Sequence, residues 1–252
     1  MLQARQEAAE DRLFHINPEL DLAALRRAYQ DAGRVRIYGL LDEGAVELYE
    51  HLVARTDWLH AFATDRGVVK LTATEKAGLS AKRWREMEAQ AHERSRRAFQ
   101  YRYEAVRLPQ PEEATGDDPL CSFARFLHGG SMTSFLESVT GLTGFTFSEG
   151  QATAFGSGDF LTGHDDGVEG RGRLAAMVFG LTPQWRPDYG GLLIFPDDQD
   201  RSFCGNVPRF NSLDIFRVPM QHSVSIVTPA APHRRVSITG WLSSGGGFRG
   251  PN

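Results

Sequence analysis

What the chain has little of narrows the field first. Two cysteines, Cys121 and Cys204, stand in 252 residues. They are too few for a disulfide framework or a four-thiolate zinc site, and read as buried thiols in a reducing cytoplasm. No run approaches the ~18 apolar residues of a membrane span. The opening MLQARQEAAEDRLFHINPEL holds no apolar stretch of signal-peptide length, so neither a membrane nor export is expected. An excess of one charge is also lacking: 28 basic against 32 acidic residues leave a formal net charge of −4, which argues against a nucleic-acid backbone as the main partner. There is no internal repeat. What remains, 41% hydrophobic and 10% aromatic residues, suits one domain over 1–252 that buries a sizeable core.

The front of the chain reads as helix-rich. DLAALRRAYQDAG places Leu22, Leu25 and Tyr29 at helical spacing and stops at Gly33, a short amphipathic helix. A strand with Val35 and Ile37 alternating with Arg34 and Arg36 follows, and Asp42 reads as the N-cap of a second helix carrying Val46, Tyr49 and Leu52. LSAKRWREMEAQAHERSRRAF, with Trp84, Met87 and Ala91 on one side, is a further helix with a solvated charged face. RLPQPEEATGDDPL, 107–120, gathers Pro, Gly and acidic residues into a surface loop. From Phe145 the pattern shortens into FTFSEGQATAF, RLAAMVFGLT, GGLLIF, SLDIFRV, SVSIVT and RVSITGWL, strands separated by turns. The expectation is a mostly β protein with flanking helices: a front and cover over 1–120, a jelly-roll core over 121–242 and a mobile tail, 243–252.

Chemistry concentrates in LTGHDDGVEG. In an extended segment residues i and i+2 share a face, so His164 and Asp166 converge while Asp165 points away. His222, in PMQHSVSIV on a later strand, supplies a third ligand. Two imidazoles and a carboxylate on one face leave positions open, as in the facial triad of iron(II) oxygenases, whereas a structural zinc site is filled by protein. H-x-D alone is equally what a surface histidine beside carboxylates looks like. Arg235 opens RVSITGW one strand later, with Ser237 and Thr239 on the same face by alternation, and a guanidinium grips a carboxylate with two hydrogen bonds. Taken alone, that arginine also reads as an edge-strand residue in water.

The stretch LTGHDDGVEGRGRLAAMVFGLTPQWRPDYGGLLIF resembles the core of the prolyl-hydroxylase-like 2-oxoglutarate and iron(II) oxygenases, nearest to the branch that hydroxylates a proline of a ribosomal protein. The likeness rests on His164-Asp165-Asp166, Glu169-Gly170-Arg171, Pro183-Gln184-Trp185, Gly190-Gly191, His222 before S-V-S, and Arg235-Val236-Ser237-Ile238-Thr239-Gly240-Trp241, across about Gly150 to Leu242. It implies a double-stranded β-helix with Fe(II) on His164, Asp166 and His222, and 2-oxoglutarate as co-substrate with its far carboxylate on Arg235. It further implies dioxygen as oxidant, ascorbate as reductant, and hydroxylation of a C–H bond with release of succinate and carbon dioxide. The implied partner is a protein or peptide substrate; the same chemistry on a free amino acid or other small molecule is the alternative, and a non-catalytic β-barrel binding module the second.

One departure stands out. Where the family often carries a co-substrate-binding tyrosine before the H-x-D, this chain has Phe155, in Phe155-Gly156-Ser157-Gly158-Asp159; Thr162 and Ser237 are the candidate replacement donors. His233, in APHRRVS, is the rival third ligand, whereas His15, His51, His60, His92 and His128 read as surface or packing residues. Trp185 and Trp241 are expected on the barrel's outside or rim, Gly190 and Gly191 in a tight turn, and PDDQDRSF, which lacks the spacing of a calcium loop, in a solvated hairpin. The cover over the site is expected from FATDRGVVKLTATEKAGL together with RRAFQYRYEAVRL.

Overall fold

The structure, a computed structural model, describes residues 13–245 apart from 65, 66, 198 and 200. Its strands in chain order are β1 (His15–Ile16), β2 (Arg34–Tyr38), β3 (Leu41–Glu43), β4 (Leu59–Thr64), β5 (Gly67–Leu71), β6 (Tyr101–Arg107), β7 (Phe145–Phe155), β8 (Phe160–His164), β9 (Arg173–Leu181), β10 (Leu193–Pro196), β11 (Phe203–Asn206), β12 (Phe210–Arg217), β13 (His222–Val224) and β14 (Arg235–Ser244). The helices are α1 (Leu22–Ala32), α2 (Ala45–Ala54), α3 (Ala73–Ala77), α4 (Ala81–Arg94), α5 (Pro119–His128) and α6 (Gly130–Thr140).

The main sheet runs β11-β10-β13-β8-β6-β7-β14-β9-β12-β2, antiparallel in its pairings, with β4 on β6 and β5 on β4. It curls. Strands β10, β13 and β8 form a short half facing the long half β7-β14-β9-β12, and side chains from both meet inside: Ala176 and Phe216 of the long half pack with Leu193 and Phe195 of the short one. This is a double-stranded β-helix core with helices outside.

Period-two alternation decides what each face of the long half carries. On β14, Val236, Ile238 and Leu242 join the main core; so do Ala152 and Ala154 of β7, Phe179 and Leu181 of β9, and Leu213 and Ile215 of β12. The residues between them, Arg235, Thr239 and Trp241 on β14 with Gln151, Thr153 and Phe155 on β7, line a cavity between the two halves. The helices close the outer face: Leu48 and Leu52 of α2, Phe123 and Phe126 of α5 and Leu136 of α6 are buried in the same core. Phe123 is fully buried and lies edge-on to Phe14 at 5.0 Å and stacked on Phe179 at 5.2 Å. Burial of this kind contributes about 25 cal/mol per Å² of apolar surface.

The local signals explain the helix ends. Asp21 caps α1 by accepting from Ala24 N, and Gly33 ends it in the left-handed conformation. Helix α2 starts at a Gly44 cap, and Asp42 lies in β3 instead of capping the helix. Within the stretch read as a loop, Asp118 accepts from Leu120 N and Cys121 N and Pro119 takes the first turn, opening α5. Strands β4, β5 and β6 stand in the segment read as helix-rich, and α5 and α6 stand where the jelly roll was expected to begin. The outer ends of the expected tail lie outside the described residues; Ser243 and Ser244 complete β14. Cys121 is half-buried and Cys204 is exposed, so Cys204 is not the buried thiol expected.

Candidate active site

His164 is the last residue of β8, and the antiparallel register sets its Cα opposite that of His222, the first residue of β13. This cross-strand pairing brings the imidazoles to 4.1 Å between centroids. Asp166 comes next to them by a different route from the extended spacing. Its backbone sits in the left-handed region, φ 62°, a turn that short polar side chains tolerate. Arg173 holds that turn by donating to Asp166 O at 3.2 Å and to Glu149 at 2.7 and 3.1 Å, with its guanidinium 3.6 Å over the Trp241 ring.

The orientation of both rings is fixed by the backbone. Nδ1 of His164 donates to Thr162 O at 3.0 Å and Nδ1 of His222 to Met220 O at 2.8 Å. Each ring therefore turns its Nε2 toward Asp166, at 3.5 Å from Oδ1 and Oδ2 respectively. Burial, aided by His164, pushes His222 down to about 4, so at neutral pH its Nε2 carries no proton. Burial works to raise Asp166, but the two imidazoles outweigh it and hold the carboxyl below its ordinary range. Ligand atoms of the three residues all fall within 4.8 Å of one another, a donor set of two imidazole nitrogens and one carboxylate that suits a non-haem Fe(II) with open positions.

The cavity beside this cluster measures about 360 Å³, within the usual range of small-molecule sites. Arg235 lines it, 5% exposed, with its guanidinium 5.0 Å from the Phe155 ring. Burial pushes Arg235 down to about 10, with Asp214 opposing and Arg36 adding to the shift. Among the described residues the guanidinium makes no hydrogen bond and no ion pair within 4 Å. Asp214 is engaged elsewhere, accepting from Asn206 at 2.7 Å and lying 3.8 Å from Arg36. A buried cation facing a cavity without a partner is a site for an anion.

Of the candidate replacement donors, neither is free. Thr162 donates to Gln100 O and accepts from Gln100 N and is not among the cavity's lining residues, and Ser237 shares a hydrogen bond with Thr153 at 2.9 Å. Phe155 lines the cavity as expected from its position, without a hydroxyl. His233 stays outside, its Nδ1 directed at Arg234 O and its ring edge-on to Trp185. Trp185 donates to Gly190 O at 2.8 Å and packs away from the cavity, whereas Trp241 is a wall of it. The Trp241 indole N–H is buried near enough to Asp166 to help lower its pKa, yet forms no well-aligned hydrogen bond. Gly190 is obligatory: at φ 71° an added Cβ would meet Ile226 O at 1.9 Å.

The sequence reading did not single out Tyr103, Gln151 and Arg173 as site residues. Aromatic rings line one wall in order: Phe99 is 5.2 Å from His164, Tyr101 5.7 Å from Phe99, Tyr103 5.1 Å from Tyr101 and Phe155 5.1 Å from Tyr103. Of the two segments expected to cover the site, only the one leading into β6 reaches it; none of β4 or β5 lines the cavity.

Residues 150–243 match the family model of the 2OG-Fe(II) oxygenase superfamily. Solved structures share the fold. A prolyl-4-hydroxylase from Pseudomonas putida is 18% identical at a TM-score of 0.56, over 88% of this chain and 98% of its own. A prolyl hydroxylase from Trichoplax adhaerens, in complex with a hypoxia inducible factor oxygen degradation domain peptide fragment, is 15% identical at 0.57, over 97% and 93%. The non-haem α-ketoglutarate-dependent epimerase of nogalamycin biosynthesis is 13% identical at 0.56, over 88% and 82%. No curated protein matches the chain. Residues 150–243 are thus similar to the 2OG-Fe(II) oxygenases, whose chemistry takes Fe(II), 2-oxoglutarate and dioxygen, and the fold is one that prolyl hydroxylases share. The ribosomal-protein branch is not distinguished by these likenesses.

Proposed function

We propose that the protein hydroxylates a prolyl residue of a protein substrate, with His164, Asp166 and His222 as the ligands of Fe(II) and Arg235 as the anchor of the far carboxylate of 2-oxoglutarate. The observation that carries the reading is the pairing of two features across one cavity: three converging metal-ligand groups and a buried guanidinium with no hydrogen bond or ion pair among the described residues. When bound, Fe(II) with 2-oxoglutarate and dioxygen supplies an oxidative decarboxylation coupled to hydroxylation of an unactivated C–H bond. The chain's own part is placement. The carbonyls of Thr162 and Met220 keep both imidazoles in the ligating tautomer, Arg173 steadies the Asp166 turn, and Arg235 orients a dicarboxylate by a two-pronged grip. Apolar walls, among them Phe155, Leu161, Leu193, Phe216 and Val224, keep water from the reacting centre.

A protein substrate is favoured by the mouth. Phe99 and Val168 line the cavity with 47% and 48% of their surface exposed, an open apolar rim suited to a chain segment. The peptide held by the Trichoplax relative supports the same choice; the epimerase of antibiotic biosynthesis keeps a small-molecule substrate as the second reading. Two unpaired cysteines fit a reducing cytoplasm, where ascorbate serves as reductant. Among the described residues no helix is long and apolar enough to cross a membrane.

The test begins without oxygen. Protein mixed with Fe(II) and 2-oxoglutarate is expected to show a weak visible charge-transfer band that His164→Ala abolishes, and to form succinate when oxygen is admitted. Proline-containing peptides and free amino acids are then compared by mass spectrometry for one added oxygen atom. Absence of both band and succinate at saturating 2-oxoglutarate refutes the co-substrate; an added oxygen on free amino acids alone refutes the protein substrate.

A further inference from the structure

We infer that Tyr103 is a co-substrate-binding residue: its hydroxyl donates a hydrogen bond to an oxygen of the 2-oxoglutarate held between the triad and Arg235. The inference rests on the reading above and adds a residue to it. Tyr103 lies on β6, where Glu104 pairs with Ala154 and Ala105 with Thr153. One step further along this antiparallel register Tyr103 stands opposite Phe155, and their rings meet at 5.1 Å. Phe155 in turn carries the Arg235 guanidinium at 5.0 Å. The phenol is therefore one ring removed from the buried cation, in the wall of the cavity that the triad also lines.

Its hydrogen bonds are half complete. Gln151 Nε2, from the neighbouring strand, donates to the Tyr103 oxygen at 3.5 Å; among the described residues the Tyr103 O–H donates to nothing. A largely buried hydroxyl with its acceptor side engaged and its proton unused is costly unless a ligand accepts that proton. Burial raises the Tyr103 pKa, so the donor is present throughout the neutral range. Among the other hydroxyls of this region, Thr153 and Ser237 bind each other and Thr162 binds Gln100, while Tyr101, also in the cavity wall, stands one ring further from Phe155 than Tyr103 does. Thr239, which also lines the cavity, is the rival donor and serves as the comparison. Phe155 cannot donate, and its cross-strand partner supplies the hydroxyl it lacks.

The experiment is calorimetric titration of 2-oxoglutarate into the full chain loaded with Mn(II), which holds the metal site without turnover. Tyr103→Phe is expected to weaken 2-oxoglutarate by about tenfold to a hundredfold, the loss of one hydrogen bond to a charged group, with Mn(II) affinity and the thermal midpoint unchanged. Thr239→Val is expected to leave the affinity within about threefold. Adding Phe155→Tyr to Tyr103→Phe returns a hydroxyl to the same cavity and is expected to recover most of the loss, which a merely structural role for Tyr103 would not do. An unchanged affinity in Tyr103→Phe, or a loss confined to Thr239→Val, overturns the assignment. Failure of the unaltered protein to bind 2-oxoglutarate while it binds Mn(II) overturns the co-substrate reading itself, a separate outcome.

Discussion

Arg235→Met separates the stability of the fold from the binding of its co-substrate. The guanidinium is 5% exposed and without a hydrogen-bond partner among the described residues, and burial pushes it well below its ordinary range, to about 10. At about 1.4 kcal/mol per tenfold change, the charged form destabilises the unliganded fold by on the order of 3 kcal/mol. Methionine keeps a long unbranched chain and removes the charge, as in other replacements of buried ions by apolar residues. Recovery of about 1–3 kcal/mol is the expected gain, a rise of roughly 2–10 °C in the thermal midpoint for a chain of this size. Melting with and without 2-oxoglutarate, in the presence of Mn(II), reads both effects. The unaltered protein is expected to gain about 2.7 kcal/mol at a hundred times its dissociation constant, and Arg235→Met to gain nothing. A lower midpoint for the metal-free variant would mean that Arg235 is a structural partner of Asp214. A retained shift with 2-oxoglutarate would mean that the carboxylate is held elsewhere.

The remaining predictions are briefer. His222 titrates at about 4 in the fold against 6.5 when free, so the unfolded chain takes up a proton first as pH falls. Stability present above pH ~6.5 is therefore lost on going down to pH ~4, by on the order of 3 kcal/mol; urea midpoints of the metal-free protein at several pH values should show this slope, and His222→Gln should flatten it. Phe123→Ala empties a fully buried site on the outer face and should cost about 3–5 kcal/mol in urea unfolding while leaving 2-oxoglutarate affinity unchanged in the folded protein, which calorimetry checks.

The strands from 145 onward were legible because alternation is strong there and the loops carry turn residues: FTFSEGQATAF coincides with β7, and RVSITGWL lies within β14. The His164 and His222 candidates were legible from motif order, but the reason they meet is the β8–β13 register, which pairs residues far apart in the chain and leaves no local trace. Extended alternation was the wrong cause for Asp166, whose left-handed backbone sets its direction. Strand β6 was within reach: Tyr101, Tyr103 and Ala105 alternate with Arg102 and Glu104, a period-two pattern obscured by the charged helix before it. Helix α5 was also within reach, since Asp118-Pro119 ahead of an apolar run is a helix start. Trp241 was within reach as well: alternation from Arg235 and Thr239 puts it on the cavity side, where it stands, although the ladder to β7 slips between Thr239 and Trp241 and a Cβ at Gly240 would meet the Phe147 ring at 2.3 Å.

One strand serves two ends of the site. Past Arg235 and Thr239, Trp241 is the next cavity-side residue of β14; it stacks under Arg173, and Arg173 reaches the backbone of Asp166. Strand β14 thus carries Arg235 at one end and the platform beneath the Asp166 turn at the other, while Val236, Ile238 and Leu242 of the same strand are buried against the helices. The separation between triad and guanidinium is set by strand ladders, that of β14 with β9 unbroken from Ser237 to Leu242, not by a loop. A ladder fixes such a distance more tightly than a loop does, which is what a site spanning one small dicarboxylate requires.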